Sequence, residues 1–213
     1  MPAIDFSLYL ITDRTQTHGR PLAAVVREAL EGGVRAVQLR EKDLSGRDLF
    51  SLAQELRAIT REYGARLIIN DRPDIALVTE ADGVHLGAAS LPVAAARTIL
   101  GPERLIGYSA HAVAEARQAE AEGADFATFG PVYPTPSKAA YGAPLGPEKL
   151  AEAAATLGIP VFALGGVKKT SIAELLTAGA RGIALISAVI AADDPRAAAA
   201  TLLETLEQHV IHP

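Results

Sequence analysis

Short apolar runs and stretches of helical period alternate without a break along this chain, and no other feature limits its fold as much. The apolar runs fall at 7–12, 36–40, 66–70, 83–87, 105–109, 126–130, 160–164 and 182–187. Helical patterns follow at 21–31, 46–63, 74–80, 93–100, 113–122, 147–157, 171–178 and 195–208. In the second of these, Leu49, Leu52, Leu56 and Ile59 recur at the spacing of one helix face. Gly32-Gly33, Gly64, Gly101, Gly123 and Gly158 each stand between a helical stretch and the next strand, where a left-handed residue ends a helix cheaply. Strand–helix alternation builds a parallel sheet with right-handed crossovers. The rival arrangement is an open doubly wound sheet, but the first strand runs into Asp13-Arg14-Thr15 and not into a glycine-rich nucleotide turn. Eight units instead close a barrel. The expectation is an α/β chain folded as one compact (β/α)8 TIM barrel, a single domain over 1–213.

Composition narrows the function classes. The formal charge is −5, so no global positive field draws in nucleic acid or an anionic membrane. At 49% hydrophobic and 21% charged residues, the chain has enough apolar side chain to build a core. It contains no cysteine, which excludes disulfides, zinc–thiolate sites and thiol nucleophiles. No apolar run approaches the roughly 20 residues of a membrane span. The start, Met1-Pro2-Ala3-Ile4-Asp5, lacks the basic-then-apolar layout of a signal peptide. A cytoplasmic protein is expected, and a homo-oligomer stays open.

Chemistry in a parallel barrel gathers at the C-terminal ends of its strands. After the second strand comes Gln38-Leu39-Arg40-Glu41-Lys42. Alternation puts Gln38, Arg40 and Lys42 on one side and Leu39 and Glu41 on the other. Two inward cations need anions, supplied either by internal carboxylates or by an anionic substrate. The third strand ends in Asn70-Asp71, where Asp71 could cap a helix or join a Mg²⁺ site with substrate phosphate oxygens. His85 lies in the fourth strand. Ser109 and His111 end the fifth, two apart and so on one side, with no acid in sight to complete a hydrolytic triad. Gly165-Gly166 and Ile186-Ser187-Ala188 follow strands seven and eight, where such barrels commonly hold phosphate on backbone N–H groups. The proline-rich segment 130–146 is too long for an ordinary connection and reads as an active-site loop. Lys138 within it joins Arg40, Lys42 and Asp71 as one anion site, with the ends of strands seven and eight as the other. Two anion sites suit two phosphorylated reactants, or one substrate with a phosphate at each end.

Seven motifs occur together and in order: Tyr9-Leu-Ile-Thr-Asp13, Val37-Gln-Leu-Arg-Glu-Lys42, Ile69-Asn-Asp-Arg72, Gly83-Val-His-Leu-Gly87, Gly130-Pro-Val-Tyr-Pro-Thr-Pro-Ser-Lys138, Gly165-Gly-Val167 and Ile186-Ser-Ala188. This set resembles the thiamine phosphate synthase family, TIM barrels that join hydroxymethylpyrimidine diphosphate to a thiazole phosphate with loss of pyrophosphate. The resemblance implies Mg²⁺ as cofactor and the two phosphorylated substrates as partners. It implies that Gln38, Arg40, Lys42, Asn70 and Ser109 bind the pyrimidine diphosphate, with Asp71 on the metal. Thr135, Ser137 and Lys138 would close over the substrates, Ser109 and Lys138 serving the departing pyrophosphate. Gly166, Ile186 and Ser187 would hold the thiazole phosphate.

Two positions depart from the family pattern. Ser90 stands where the family carries its second metal carboxylate, and Ser171 where it carries an asparagine. A sister family on the same barrel, the thiazole tautomerases, also lacks that carboxylate and moves protons with a histidine at the position of His111. That family usually lacks the Asn-Asp pair and the lysine of Arg-Glu-Lys, both present here as Asn70-Asp71 and Lys42. The synthase reading is therefore favoured over a tautomerase and over a non-catalytic binder of thiamine precursors.

Overall fold

A computed structural model describes residues 4–135 and 143–209. Ser137 and Lys138 lie outside those residues. The elements run β1 Leu8–Ile11, α1 Leu22–Glu31, β2 Ala36–Leu39, α2 Gly46–Glu62, β3 Arg66–Asn70, α3 Pro73–Val78, β4 Gly83–Leu86, α4 Val93–Leu100, β5 Leu105–Ala110 and α5 Val113–Ala121. They continue with β6 Phe126–Phe129, α6 Gly146–Thr156, β7 Val161–Leu164, α7 Ile172–Thr177, β8 Gly182–Leu185, α8 Ser187–Ile190 and α9 Pro195–Gln208. All strands pair in parallel and in chain order, and β8 closes onto β1 through Tyr9 opposite Ala184. The eight-strand barrel expected from the alternation is the fold observed. The periodic pattern gave no sign of three short pieces: 3-10 turns at Arg14–Gln16 and Lys169–Ser171, and the four-residue α8. One turn of helix is too short to show a period.

Each strand separates two cores. Leu8, Leu10, Val37, Leu39, Leu67, Ile69, Val84 and Ile106 face outward into the layer beneath the helices. The alternate positions face inward, where Phe6, Tyr9, Phe126 and Phe162 fill the barrel interior with centroid separations of 5.2 to 6.4 Å. Aromatic residues are only 5% of the chain, so this concentration marks the widest space the strands enclose. Above the aromatic floor the inward positions turn polar, with Gln38 on β2 and His85, Ser109 and Thr128 on the adjacent β4, β5 and β6.

At the opposite end of the barrel, carboxylates before two strands grip the ladder. Asp82 Oδ2 accepts from the Leu67 N–H at 2.8 Å and from Arg57 at 2.6 Å. Asp125 Oδ2 accepts from the Ile106 N–H at 2.7 Å and from Arg97 at 2.6 Å. Both aspartates thereby satisfy strand N–H groups that have passed the end of the regular pairing.

The interior has no room to spare beside His85. A Cβ placed on Gly107 would lie 2.4 Å from both His85 Nδ1 and Phe126 Cζ. Both neighbours are rings held inside the barrel, so neither can move aside cheaply. Gly107→Ala is expected to cost about 1–3 kcal/mol of overpacking, measured as a shift in the urea unfolding midpoint.

Candidate active site

The site builds up from the C-terminal ends of the strands. β2 ends at Leu39, and Arg40, one residue further, is half-buried. Lys42 is exposed. Neither cation forms a salt bridge to any described residue, although the Arg40 charge reaches the Asp13 carboxylate. Leu39 faces the helix layer and Gln38 the barrel interior, as alternation requires. Glu41 points away from the mouth and is covered by Thr12 and Arg14.

Beside Arg40, β3 ends in the half-buried Asn70, and Asp71 follows with φ of +61°. That left-handed conformation is uncommon outside glycine, although aspartate tolerates it better than most residues. It is held by the Asp71 N–H donating to the His85 carbonyl at 3.0 Å. The carboxylate has a donor on each oxygen. Asn70 Nδ2 donates to Oδ2 at 3.0 Å, and the Ser90 hydroxyl donates to Oδ1. Ser90 Oγ in turn accepts from the Gly87 N–H at 2.7 Å. The β4–α4 turn therefore delivers its oxygen to Asp71 even though the oxygen carries no charge. Asp71 caps nothing, since Arg72 precedes α3. Among the described residues no group of three or more metal-ligating side chains forms, and Asp71 is the carboxylate at this place.

A buried polar chain crosses the barrel beneath these groups. Gln38 Nε2 donates to the Tyr9 hydroxyl at 3.0 Å. Tyr9 lies 3.3 Å from His85 Nδ1, and His85 Nε2 lies 2.9 Å from Ser109 Oγ. Ser109 is also 3.1 Å from Thr128 Oγ1. With the amide donating to Tyr9, the phenol proton is directed at Nδ1, and the ring proton falls on Nε2, facing Ser109. Ser109 then accepts from His85 and has its own proton to give to Thr128 or to an anion. Burial pushes the His85 imidazole down to about 3, and the positive charge of Arg40 acts in the same direction. The ring is therefore neutral at neutral pH. Burial likewise pushes the Tyr9 phenol far above its ordinary range, despite the opposing bond from Gln38.

The partner of Ser109 on the histidine side is thus His85 from β4. His111 lies just past β5, exposed, with its backbone N–H donating to Glu115 at 2.8 Å and its ring Nδ1 3.9 Å from the same carboxylate. Spacing gives Ser109 and His111 one side of the chain, and the imidazole within hydrogen-bond reach of Ser109 is that of His85. Spacing along one strand reported a shared side, whereas register between strands set the contact, His85 lying next to Gly107 and Ser109 next to Thr128. The signal for His85 was available in the inward alternation shared with Gln38 and Asn70.

Across the mouth, Gly165 and Gly166 follow β7 with φ of +92° and +67°. A Cβ on Gly166 would stand 2.7 Å from Tyr133 Cβ and from the Pro134 carbonyl, so the glycine turn packs directly on the first leg of the 130–146 loop. Backbone bonds tie the two together, Val132 N–H to Leu164 O at 2.9 Å and Tyr133 N–H to Gly165 O at 3.0 Å. Thr135 is half-buried at the end of that leg. Ile186 precedes α8 and packs against the aromatic interior, and the exposed Ser187 opens the helix. The N–H groups of Ser187 and Ala188 lie in its first turn, where no intrahelical carbonyl can accept from them. β3 and β7 are four strands apart in the closed ring, so this cradle faces Arg40, Asn70 and Asp71 across the barrel mouth.

Comparison with known proteins identifies the family. The thiamine monophosphate synthase family profile matches residues 8–189. The chain belongs to that family. A relative from Geobacter sulfurreducens is 61% identical over 97% of each chain. The thiamine-phosphate synthase of Moorella thermoacetica is 46% identical, again over 97% of each. The solved structure of thiamine phosphate pyrophosphorylase from Pyrococcus furiosus superimposes with a TM-score of 0.88 at 40% identity, covering 96% of this chain and 97% of that one.

The neutral His85 has a consequence for acid stability. Its folded value lies below the unfolded value near 6.5, so below that pH the unfolded chain binds a proton that the folded chain refuses. Stability is therefore complete above pH 6.5 and declines toward about 3, by up to about 1.4 kcal/mol per pH unit. Urea unfolding at pH 7 and pH 5 should differ by as much as about 2 kcal/mol, and His85→Asn should flatten that difference.

Proposed function

We propose that this chain is a thiamine-phosphate synthase that joins hydroxymethylpyrimidine diphosphate to thiazole phosphate, giving thiamine phosphate and pyrophosphate. The observation that carries the reading is the pair of facing anion sites. Cations without a salt bridge among the described residues and an aspartate stand at the ends of β2 and β3, and a glycine and backbone N–H cradle follows β7 and β8. Family membership supplies the chemistry that such a pair serves.

The reaction breaks the bond between the pyrimidine methylene carbon and the diphosphate oxygen, which leaves with the electron pair. The thiazole nitrogen then gives its lone pair to that carbon. Arg40 and Lys42 bind the diphosphate, with Asn70 and Ser109 beside it, and Gln38 contributes from the barrel wall. Ser109 donates the proton that His85 leaves it free to give. Thr135, Ser137 and Lys138 close over the substrates, and Lys138 neutralises the pyrophosphate as it departs. Gly166, Ile186 and Ser187 hold the thiazole phosphate so that its nitrogen faces the carbon. No protein nucleophile is required; the site contributes position and stabilisation of leaving-group charge.

The donor set beside the diphosphate suits Mg²⁺, which takes oxygen ligands and needs only one or two carboxylates when phosphate oxygens complete its shell. Asp71, with the Ser90 hydroxyl on its flank, would hold the ion, which when bound offsets charge on the diphosphate. Ser90 in place of a second carboxylate weakens that hold. Among the described residues no helix is long and apolar enough to cross a membrane, and a cytoplasmic site of action is part of this reading.

Purified protein given both substrates should release pyrophosphate only with Mg²⁺, with thiamine phosphate identified by mass. Absence of product from folded protein would overturn the reading and turn attention to proton transfer on thiazole phosphate by His111. Lys138→Ala should lower kcat by about 100-fold or more, as loss of a charge-stabilising donor does. Ser90→Asp should lower the Mg²⁺ concentration needed for half-maximal rate, read from a metal titration at saturating substrates.

A further inference from the structure

The residues that carry the diphosphate-binding cations stand beyond the last rung of the β1–β2 ladder. The Thr12 N–H donating to the Gln38 carbonyl at 2.9 Å is the final backbone bond between those strand ends. From Arg40 onward something else must fix the chain, because a backbone with no partner is free to move.

A buried carboxylate takes over. The Glu41 side chain is 1% exposed and receives the Thr12 hydroxyl at 2.7 Å, the Arg14 N–H at 3.1 Å to each oxygen, and Arg14 Nη1 at 3.2 Å. Thr12 Oγ1 accepts in turn from the Arg40 N–H at 2.9 Å. A closed circuit results, from the Arg40 N–H to Thr12 and from Thr12 to the carboxylate of the next residue. Arg14 also grips Asp43 with both guanidinium nitrogens, each at 2.6 Å. In the run Arg40-Glu41-Lys42-Asp43 the two acids are thus held by Arg14 on one side, and the two cations alternate with them. Arg14 itself sits in a short 3-10 turn capped by Asp13, whose carboxylate takes the Thr15 N–H and hydroxyl and the Gln16 amide.

We infer that Glu41 is a positioning residue, which with Thr12 and Arg14 holds Arg40 and Lys42 in the place where the diphosphate binds. It touches no substrate and acts through the backbone of its neighbours. The inference rests on the synthase reading above, because it presumes that those two cations bind diphosphate. Among the described residues no hydrogen bond runs from this circuit to the thiazole phosphate cradle after β7 and β8, although the turn that holds Arg14 lies beside α8; loss of the Thr12 link to the Arg40 N–H therefore bears first on the diphosphate side.

Two variants test it. Thr12→Val removes the hydroxyl that links Glu41 to the Arg40 N–H and leaves the Glu41–Arg14 contacts in place. Glu41→Gln removes the charge and keeps the size. Each should raise the KM for pyrimidine diphosphate about tenfold, with the KM for thiazole phosphate within about twofold of wild type. The Kd for inorganic pyrophosphate with Mg²⁺, measured by calorimetry, should weaken by a similar factor, and this reading does not depend on turnover. Wild-type pyrophosphate affinity in a folded Thr12→Val protein overturns the inference. So does an equal rise in both KM values alongside a fall in Tm, which would mark a merely structural role. If the wild-type protein itself neither binds pyrophosphate nor makes product, the synthase reading fails and this inference with it.

Discussion

A closed ring of eight parallel strands encloses a space that only inward side chains can fill, and the floor of the barrel mouth follows from how that space is filled. Near the bottom it is occupied by Phe6, Phe126, Phe162 and the ring of Tyr9. One layer higher the aromatic stack ends at the Tyr9 hydroxyl, and the filling becomes polar. A buried hydroxyl, amide and imidazole must find partners or forfeit the cost of leaving water. They find them in one another, from Gln38 through Tyr9 and His85 to Ser109 and Thr128. The upper core is therefore both packing and the floor of the site.

That floor is electrically neutral, which matters to what lies above it. A protonated His85 would set one more positive charge under Arg40, and burial forbids it. The cations are confined to the rim, where neither Arg40 nor Lys42 forms a salt bridge among the described residues. The acids nearest in sequence, Glu41 and Asp43, are turned outward and held by Arg14. Separation of cations from anions across one strand end lets a chain of net negative charge present a cationic face at the barrel mouth.

Some of this site could be read along the sequence, and some of it could not. Gln38, Leu39, Arg40 and Glu41 take the sides that period-two alternation gives them, because strand geometry fixes the side and nothing tertiary reverses it. The pairing of Ser109 was different. Alternation put His111 on its side, yet the imidazole that reaches it is His85, brought alongside by the register of β4, β5 and β6. Ser90 could be recognised as a missing carboxylate, but its hydroxyl bond to Asp71 depends on how the β4–α4 turn folds back.

The sequence by itself determined the number of strand–helix units, their parallel order, the inward and outward faces of each strand and the loops that reach the mouth. Those properties are local, set by hydrophobic period and by the glycines and prolines that end each element. Only the tertiary structure decided which groups meet. The Thr12–Glu41–Arg14 circuit joins two strand ends, His85 reaches Ser109 across a register, and Gly166 packs on the leg of the 130–146 loop. Each is a contact between residues distant along the chain. Closing the barrel is what brings them within reach, because the position of every strand end then depends on all eight strands.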